Sequence, residues 1–95
     1  MLVSIVIPYF KDKKNIFLSV SSALQQTYKN IEIIIIDNEN SLSSKKILEN
    51  ISKKSKKIKV FNNRSLLNYA GIGRNLGVRF SKGRLIAFLD SDDLW

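Results

Sequence analysis

The run Ile31-Glu32-Ile33-Ile34-Ile35-Ile36 ends directly in Asp37-Asn38. A short, β-branched apolar run with a polar stop reads as a strand buried on both faces, the habit of parallel sheets. Upstream, Val3-Ser4-Ile5-Val6-Ile7 is a similar run, stopped by Pro8. Between the two, Ile16, Val20, Ala23 and Leu24 recur at helical spacing. Residues 13–26 are therefore predicted to be a helix, with Asp12 as its N-cap. Downstream, residues 41–53 read as a second helix with Ile47, Leu48 and Ile51 on its buried side. A strand over 58–61 and a loop over 62–68 follow. Ile72, Leu76 and Phe80 stand at i, i+4 and i+8 and predict a third helix over 70–81. Residues 85–89 complete the alternation as a fourth strand. The order βαβαβαβ predicts an α/β fold: one open parallel sheet with helices on both faces, joined by right-handed crossovers. No repeat, linker or low-complexity segment divides residues 1–95, so they are read as a single partial domain. The halt at Trp95, straight after an acidic cluster, reads as a truncation.

Composition narrows the chemistry. The chain has no cysteine and no histidine. Disulfides, thiolate or imidazole zinc sites and histidine-based catalytic triads are thereby excluded. Any metal must be held by oxygens, which points to a hard cation such as Mg²⁺ or Mn²⁺. No apolar run reaches the roughly 18 residues a membrane span needs. The opening residues lack the basic start and small-residue cleavage site of a signal peptide. The expected location is cytoplasmic. The formal net charge is +8, and the segment from Lys45 to Lys59 is rich in lysine. Such a segment reads either as a solvated helix face or as a surface for nucleic acid, anionic lipid or an anionic ligand.

Open parallel sheets bind ligands beyond the carboxyl ends of their strands, where strand order reverses. With the order 3-2-1-4, that point lies between the first and fourth strands. Pro8, Tyr9 and Phe10 leave the first strand there, Asp37 and Asn38 leave the second, and Asp90, Ser91, Asp92 and Asp93 leave the fourth. Carboxylates so closely spaced repel one another unless a cation or solvent screens them. A divalent cation with one or two carboxylate ligands and phosphate oxygens in its other positions meets that need. The alternative is an acidic surface turn. Asp37 could accept from a base or ribose, or could hold its own loop. Gly71, Gly73 and Gly77 resemble a glycine-rich phosphate loop but lack its spacing; the alternative is close packing, with Gly73 and Gly77 one turn apart letting the helix approach the sheet. Arg74 sits in the first turn of a predicted helix, where the dipole disfavours a cation unless an anion stands nearby. Tyr9 and Phe10 are candidates to stack on a base, with core or rim packing the alternative.

Four ordered blocks add a resemblance. Val3-Ser4-Ile5-Val6-Ile7-Pro8-Tyr9-Phe10 resembles the V-S-I-I-I-P-x-Y-N opening of family 2 glycosyltransferases. Ser22 to Asp37 is similar to S-x-L-x-Q-T-Y-x-N-x-E-I-I-I-V-D. Gly73-Arg74-Asn75-Leu76-Gly77 resembles A-R-N-x-G, and Lys82 to Trp95 resembles K-G-x-Y-I-x-F-L-D-S-D-D-x-W. The resemblance implies a Rossmann-like GT-A fold, the nucleotide-sugar-binding half of an enzyme that uses Mn²⁺ or Mg²⁺. It implies that Pro8 and Tyr9 line the nucleoside pocket, with Phe10 beside them, and that Asp37 and Asn38 neighbour the base. It further implies that Asp90 and Ser91 reach the donor, that Asp90 and Asp92 hold the metal, and that Arg74 supports the crevice. The run Asp37-Asn38-Glu39-Asn40-Ser41 departs from the usual Asp-Asp-Gly-Ser, and Lys11 and Tyr69 replace a common Asn and Gly. No residue is a candidate catalytic base.

The implied partners are a nucleotide-diphosphate sugar and a saccharide or glycolipid acceptor, with peripheral contact at the inner face of an anionic membrane. Nucleic acid is not the expected partner. The rival reading is a basic module that binds nucleic acid or anionic membrane without catalysis. A flavodoxin-like signalling domain ranks last, because Pro8-Tyr9-Phe10 supplies no carboxylate.

Overall fold

The computed structural model describes residues 2–62, 82–83 and 85–89. Within them the order is β1 (Val3–Tyr9), α1 (Lys13–Gln25), β2 (Ile31–Asp37), α2 (Leu42–Ser52), β3 (Ile58–Asn62) and β4 (Leu85–Phe88). The strands form one sheet in the order β3-β2-β1-β4. All three pairings are parallel, with Val3 opposite Ile31 and Leu85, and Ile33 opposite Ile58. The predicted sheet and its strand order are therefore the observed ones.

β1 does not stop at Pro8; it runs on to Tyr9, with Pro8 opposite Ile36. Alternation along the strand explains why proline is tolerated in this central position. Tyr9 accepts from the Asn38 N–H and so faces β2, whereas Val6 accepts from the Leu89 N–H and faces β4. Pro8 shares the Val6 side, so its missing N–H falls beyond Val6–Phe88, the last pair bridged to β4.

The two described helices share one face. Ile16, Val20 and Ala23 of α1 and Leu48 and Ile51 of α2 join one core cluster with Ile5, Ile7, Ile33, Ile35 and Leu89. Both crossovers step the same way across the sheet, from β1 to β2 to β3, and right-handed connections then put both helices on the same side. The opposite face buries Val6, Ile34 and Ile36, with Phe61 against them. Both faces of the sheet's centre are thus buried, as its apolar runs require. The helix expected over 70–81 lies outside the described residues. α2 begins one residue later than predicted because Ser41 is its N-cap: the Ser44 N–H donates to Ser41 Oγ and the Ser41 N–H to Ser44 Oγ, each at 3.0 Å. Asp12 does occupy the N-cap position of α1, but its side chain makes no capping bond. Its Oδ1 accepts from Asn15 Nδ2 instead.

A polar knot closes the amino end of the sheet. Glu32 is 4% exposed. Its Oε2 accepts from Ser4 Oγ at 2.5 Å and from the Lys82 N–H at 2.6 Å, and its Oε1 pairs with Lys59 Nζ at 3.0 Å. The Gly83 N–H donates to Ser4 Oγ at 2.8 Å. One carboxylate thus joins β1, β2, β3 and the lead-in to β4. Gly83 is needed for this approach, since a Cβ there would lie 2.5 Å from Ser4 Oγ and 2.6 Å from the Ser4 nitrogen. Burial pushes the Glu32 carboxyl up, but the Ser4 hydroxyl, the Lys82 N–H and Lys59 outweigh it and hold the group below its ordinary range.

Candidate functional site

The carboxyl ends of β1 and β2 finish level, with Tyr9 opposite Asp37. The ladder continues one step past β2, where the Asn38 N–H donates to the Tyr9 carbonyl at 2.9 Å. On the other side of β1, the Leu89 N–H donates to the Val6 carbonyl at 2.9 Å, and Leu89 is buried. The segment that leads in sequence to Asp90 is therefore fixed against β1. Asp90, Ser91, Asp92 and Arg74 themselves lie outside the described residues.

Asp37 is 1% exposed and holds its own loop. Its Oδ1 accepts from the Glu39 N–H at 2.9 Å and the Asn40 N–H at 3.0 Å, and its Oδ2 accepts from Ser44 Oγ at 2.8 Å. These bonds shape a tight turn in which Asn40 takes φ 55°, a left-handed conformation that asparagine tolerates. Of the two readings the sequence left open for Asp37, this geometry displays the loop-holding one. Asn38 is buried beside it.

The aromatics divide. Pro8 is buried in β1, and Tyr9 packs into the helix-face core. Phe10 is 49% exposed and is the aromatic that a ligand at this rim can reach. Lys11 Nζ stands 5.4 Å from the Phe10 ring centroid, a cation–π contact. Lys11 itself has φ 49°, unusual for a residue with a Cβ and often a mark of a functional turn.

Glu39 was not singled out by sequence reasoning, yet it joins the two loops of the rim. Its Oε1 accepts the Lys11 N–H at 3.1 Å and its Oε2 accepts Ser41 Oγ at 2.6 Å. The available signal was its departure from the usual Gly in Asp-Asp-Gly-Ser. Burial raises the Tyr9 phenol above its ordinary value, and the charge of Glu39 adds to this; a bond with the Asp12 backbone opposes it, and Asp37 and Asp12 add smaller increments. Carboxylates of Glu39, Asp37 and Asp12 thus stand near enough to the Tyr9 phenol to disfavour its ionised form.

Comparison with known proteins fits this geometry. Residues 4–95 match the family model for glycosyl transferase family 2. The chain is 46% identical over 94 residues to the Escherichia coli UDP-Glc:alpha-D-GlcNAc-diphosphoundecaprenol beta-1,3-glucosyltransferase WfaP, covering 99% of this chain and 36% of that protein. It is 40% identical over 95 residues to WfgD, an E. coli enzyme of the same description, again covering 99% of this chain and 36% of that one. The chain thus spans about a third of the length of these curated relatives. S. aureus TarS 1-349 in complex with UDP-GlcNAc superposes with a TM-score of 0.85 at 24% identity, over 99% of this chain and 27% of that one. The Pyrobaculum calidifontis mannosyltransferase PcManGT, in complex with GDP-Man and Mn²⁺, gives a TM-score of 0.84 at 15% identity, over 98% of this chain and 28% of that one. At these identities the two structures bear on the fold alone, which is the GT-A, Rossmann-like one.

Proposed function

The chain belongs to glycosyl transferase family 2, and from that premise we propose that it is the donor-binding portion of an enzyme that moves a sugar from a nucleotide diphosphate to an acceptor hydroxyl. The observation that carries the reading is the level finish of β1 and β2 at Tyr9 and Asp37, with Leu89 held against β1 just before Asp90. Three strand ends then meet where open parallel sheets hold nucleotides. The relatives' names favour UDP-glucose as donor and a diphospholipid-linked sugar as acceptor.

In this reading Phe10 offers its exposed ring to the base or ribose. Asp37 and Glu39 act by shaping the rim, while Pro8, Tyr9 and Asn38 form its floor. Asp90 and Asp92 would hold Mg²⁺ or Mn²⁺, with Ser91 and Arg74 beside the donor. The donor set fits a hard cation, because a chain without His or Cys has oxygen ligands to offer. Bound there, the cation would neutralise the diphosphate and stabilise it as a leaving group. The proposed location is cytoplasmic, at the inner face of a membrane. The rival reading, a basic module without catalysis, draws no support from the comparisons.

The test is calorimetric titration of UDP, GDP and dTDP with and without Mn²⁺. The expected result is UDP binding that Mn²⁺ strengthens and that Asp92→Ala returns to the metal-free level. Binding indifferent to Mn²⁺ would overturn the metal role. Absence of any nucleotide binding would overturn the donor-site reading.

A further inference from the structure

A cavity of about 360 Å³ lies between α2 and β3 at the edge of the sheet. Among the described residues β3 pairs with β2 alone. Lys45, Leu48, Glu49 and Ser52 line one wall, at the i, i+3, i+4 and i+7 positions of a single helix side. Val60 and Asn62 line the other. Val60 packs against the helix-face core, and Asn62, two residues on, shares that face. Asp37 closes the cavity at the end of β2, with both its oxygens already engaged by Glu39, Asn40 and Ser44. The main chain of β3 divides by alternation. The Ile33 N–H donates to the Lys57 carbonyl at 2.8 Å, so Lys57, Lys59 and Phe61 turn their main-chain groups towards β2. Ile58, Val60 and Asn62 turn theirs to the open edge. The Ile58 N–H is taken there by the Ser55 carbonyl at 3.3 Å, and Val60 and Asn62 stand beside the cavity. Lys45 and Glu49 are exposed, and among the described residues neither charged head has a partner. Lys before Glu at i, i+4 is the weaker order for a helical pair.

We infer that this groove takes an extended peptide of a partner protein as an added strand on β3. The main-chain groups of Val60 supply the ladder bonds, and a peptide side chain on the α2 side fills the cavity between Leu48 and Val60. An open strand edge is matched by a row of amides, which a peptide offers and a bilayer or a nucleic acid does not. The charges set the peptide's chemistry. α2 starts at the carboxyl ends of the strands and returns to their amino ends before β3. Lys45 therefore stands towards the Asn62 end of the groove and Glu49 one turn nearer the other end. Residues two apart on an added strand share a face. The peptide that fits has a small apolar side chain in the cavity, an acidic residue two places away beside Lys45 and a basic residue two places the other way beside Glu49.

The experiment is a fluorescence titration of the full chain with two labelled peptides, Thr-Glu-Thr-Val-Thr-Lys-Thr and Thr-Lys-Thr-Val-Thr-Lys-Thr. The unaltered chain should bind the first more tightly, by about fivefold. Lys45→Glu, which makes both charges of the groove acidic, should reverse that preference. Val60→Pro removes an outward N–H and no bond to β2, so the sheet survives it; circular dichroism checks this. The variant should bind the first peptide about tenfold more weakly. Amide shifts of the unaltered chain should move at Val60 and Asn62 as the peptide is added. Absence of saturable binding at millimolar peptide would overturn the proposal, as would a folded Val60→Pro variant that binds as well as the unaltered chain, or a preference that Lys45→Glu leaves unmoved. Sedimentation of the chain alone is the remaining check: a dimer that Val60→Pro dissociates would give the edge to a second copy and overturn the assignment to a partner's peptide.

Discussion

Removing the Glu32 carboxylate tests how the sheet is held in register. The group is almost fully buried and serves Ser4 Oγ, the Lys82 N–H and Lys59 Nζ. Glu32→Ala would leave the completely buried Ser4 hydroxyl and the Lys82 N–H without their acceptor, and would release the lead-in to β4. Hydrogen bonds to a charged group contribute about 1.5–3 kcal/mol each, and Glu32→Ala removes the two from Ser4 Oγ and the Lys82 N–H. A loss of about 3–5 kcal/mol is expected. Lys59 is different: its side chain is 40% exposed, so its ammonium can turn to water and solvent screens the pair. Lys59→Met should cost less than about 1 kcal/mol. Urea unfolding of the two variants measures the contrast. Equal losses would show that the ion pair, not the hydroxyl and backbone donors, holds the knot, and would refute the reasoning. pH supplies a second check. The folded carboxyl titrates below its unfolded value, so its stabilisation is complete above about pH 4.3 and is lost as pH falls through the lower folded value. Glu32→Ala should therefore flatten the acid limb of the stability curve.

Gly83→Ala should destabilise by about 1–3 kcal/mol, because its Cβ would meet the backbone of Ser4, which cannot swing aside; thermal unfolding measures this, and a neutral result would show that β4 enters differently. Ser44→Ala removes a donor to Asp37 and half of the capping box of α2, and should cost about 1–2 kcal/mol in urea unfolding. Glu39→Gly, which restores the usual residue, should weaken the bridge between the two rim loops and raise amide exchange at Lys11, while lowering overall stability by no more than about 1 kcal/mol. Leu48→Ala opens a cavity under α2, where Leu48 is 1% exposed, and should cost about 2–5 kcal/mol.

The sheet was legible because its signal is strong and local. Runs such as Ile33 to Ile36 leave few alternatives to a strand buried on both faces, and two buried helix stripes separate them. Strand order was legible through a chain-level rule rather than through any residue. The polar interior was not. Glu32 sits within an apolar run, and nothing local reveals that Ser4, twenty-eight residues earlier, and Lys82, fifty residues later, will supply its donors. Pro8 read as a stop because sequence gives no sight of which neighbour a missing N–H will face. At the site, the positions of Tyr9, Asp37 and Asn38 at the strand ends were readable. Which groups would be spent internally was not, because Asp37 is held by an Asx-type turn and by Ser44 in the first turn of the following helix, and Tyr9 turns into the core while Phe10 turns out.

The central claim is that carboxylates following β4 hold a cation that in turn holds a diphosphate across the rim of β1 and β2. The most direct measurement is a crystal structure of the chain with UDP and Mn²⁺. The account predicts the metal bonded to Asp92 or Asp90 and to the diphosphate, with the uridine beside Phe10 above the Tyr9–Asp37 pair. A metal bound elsewhere, or a nucleotide lying away from those strand ends, would contradict it.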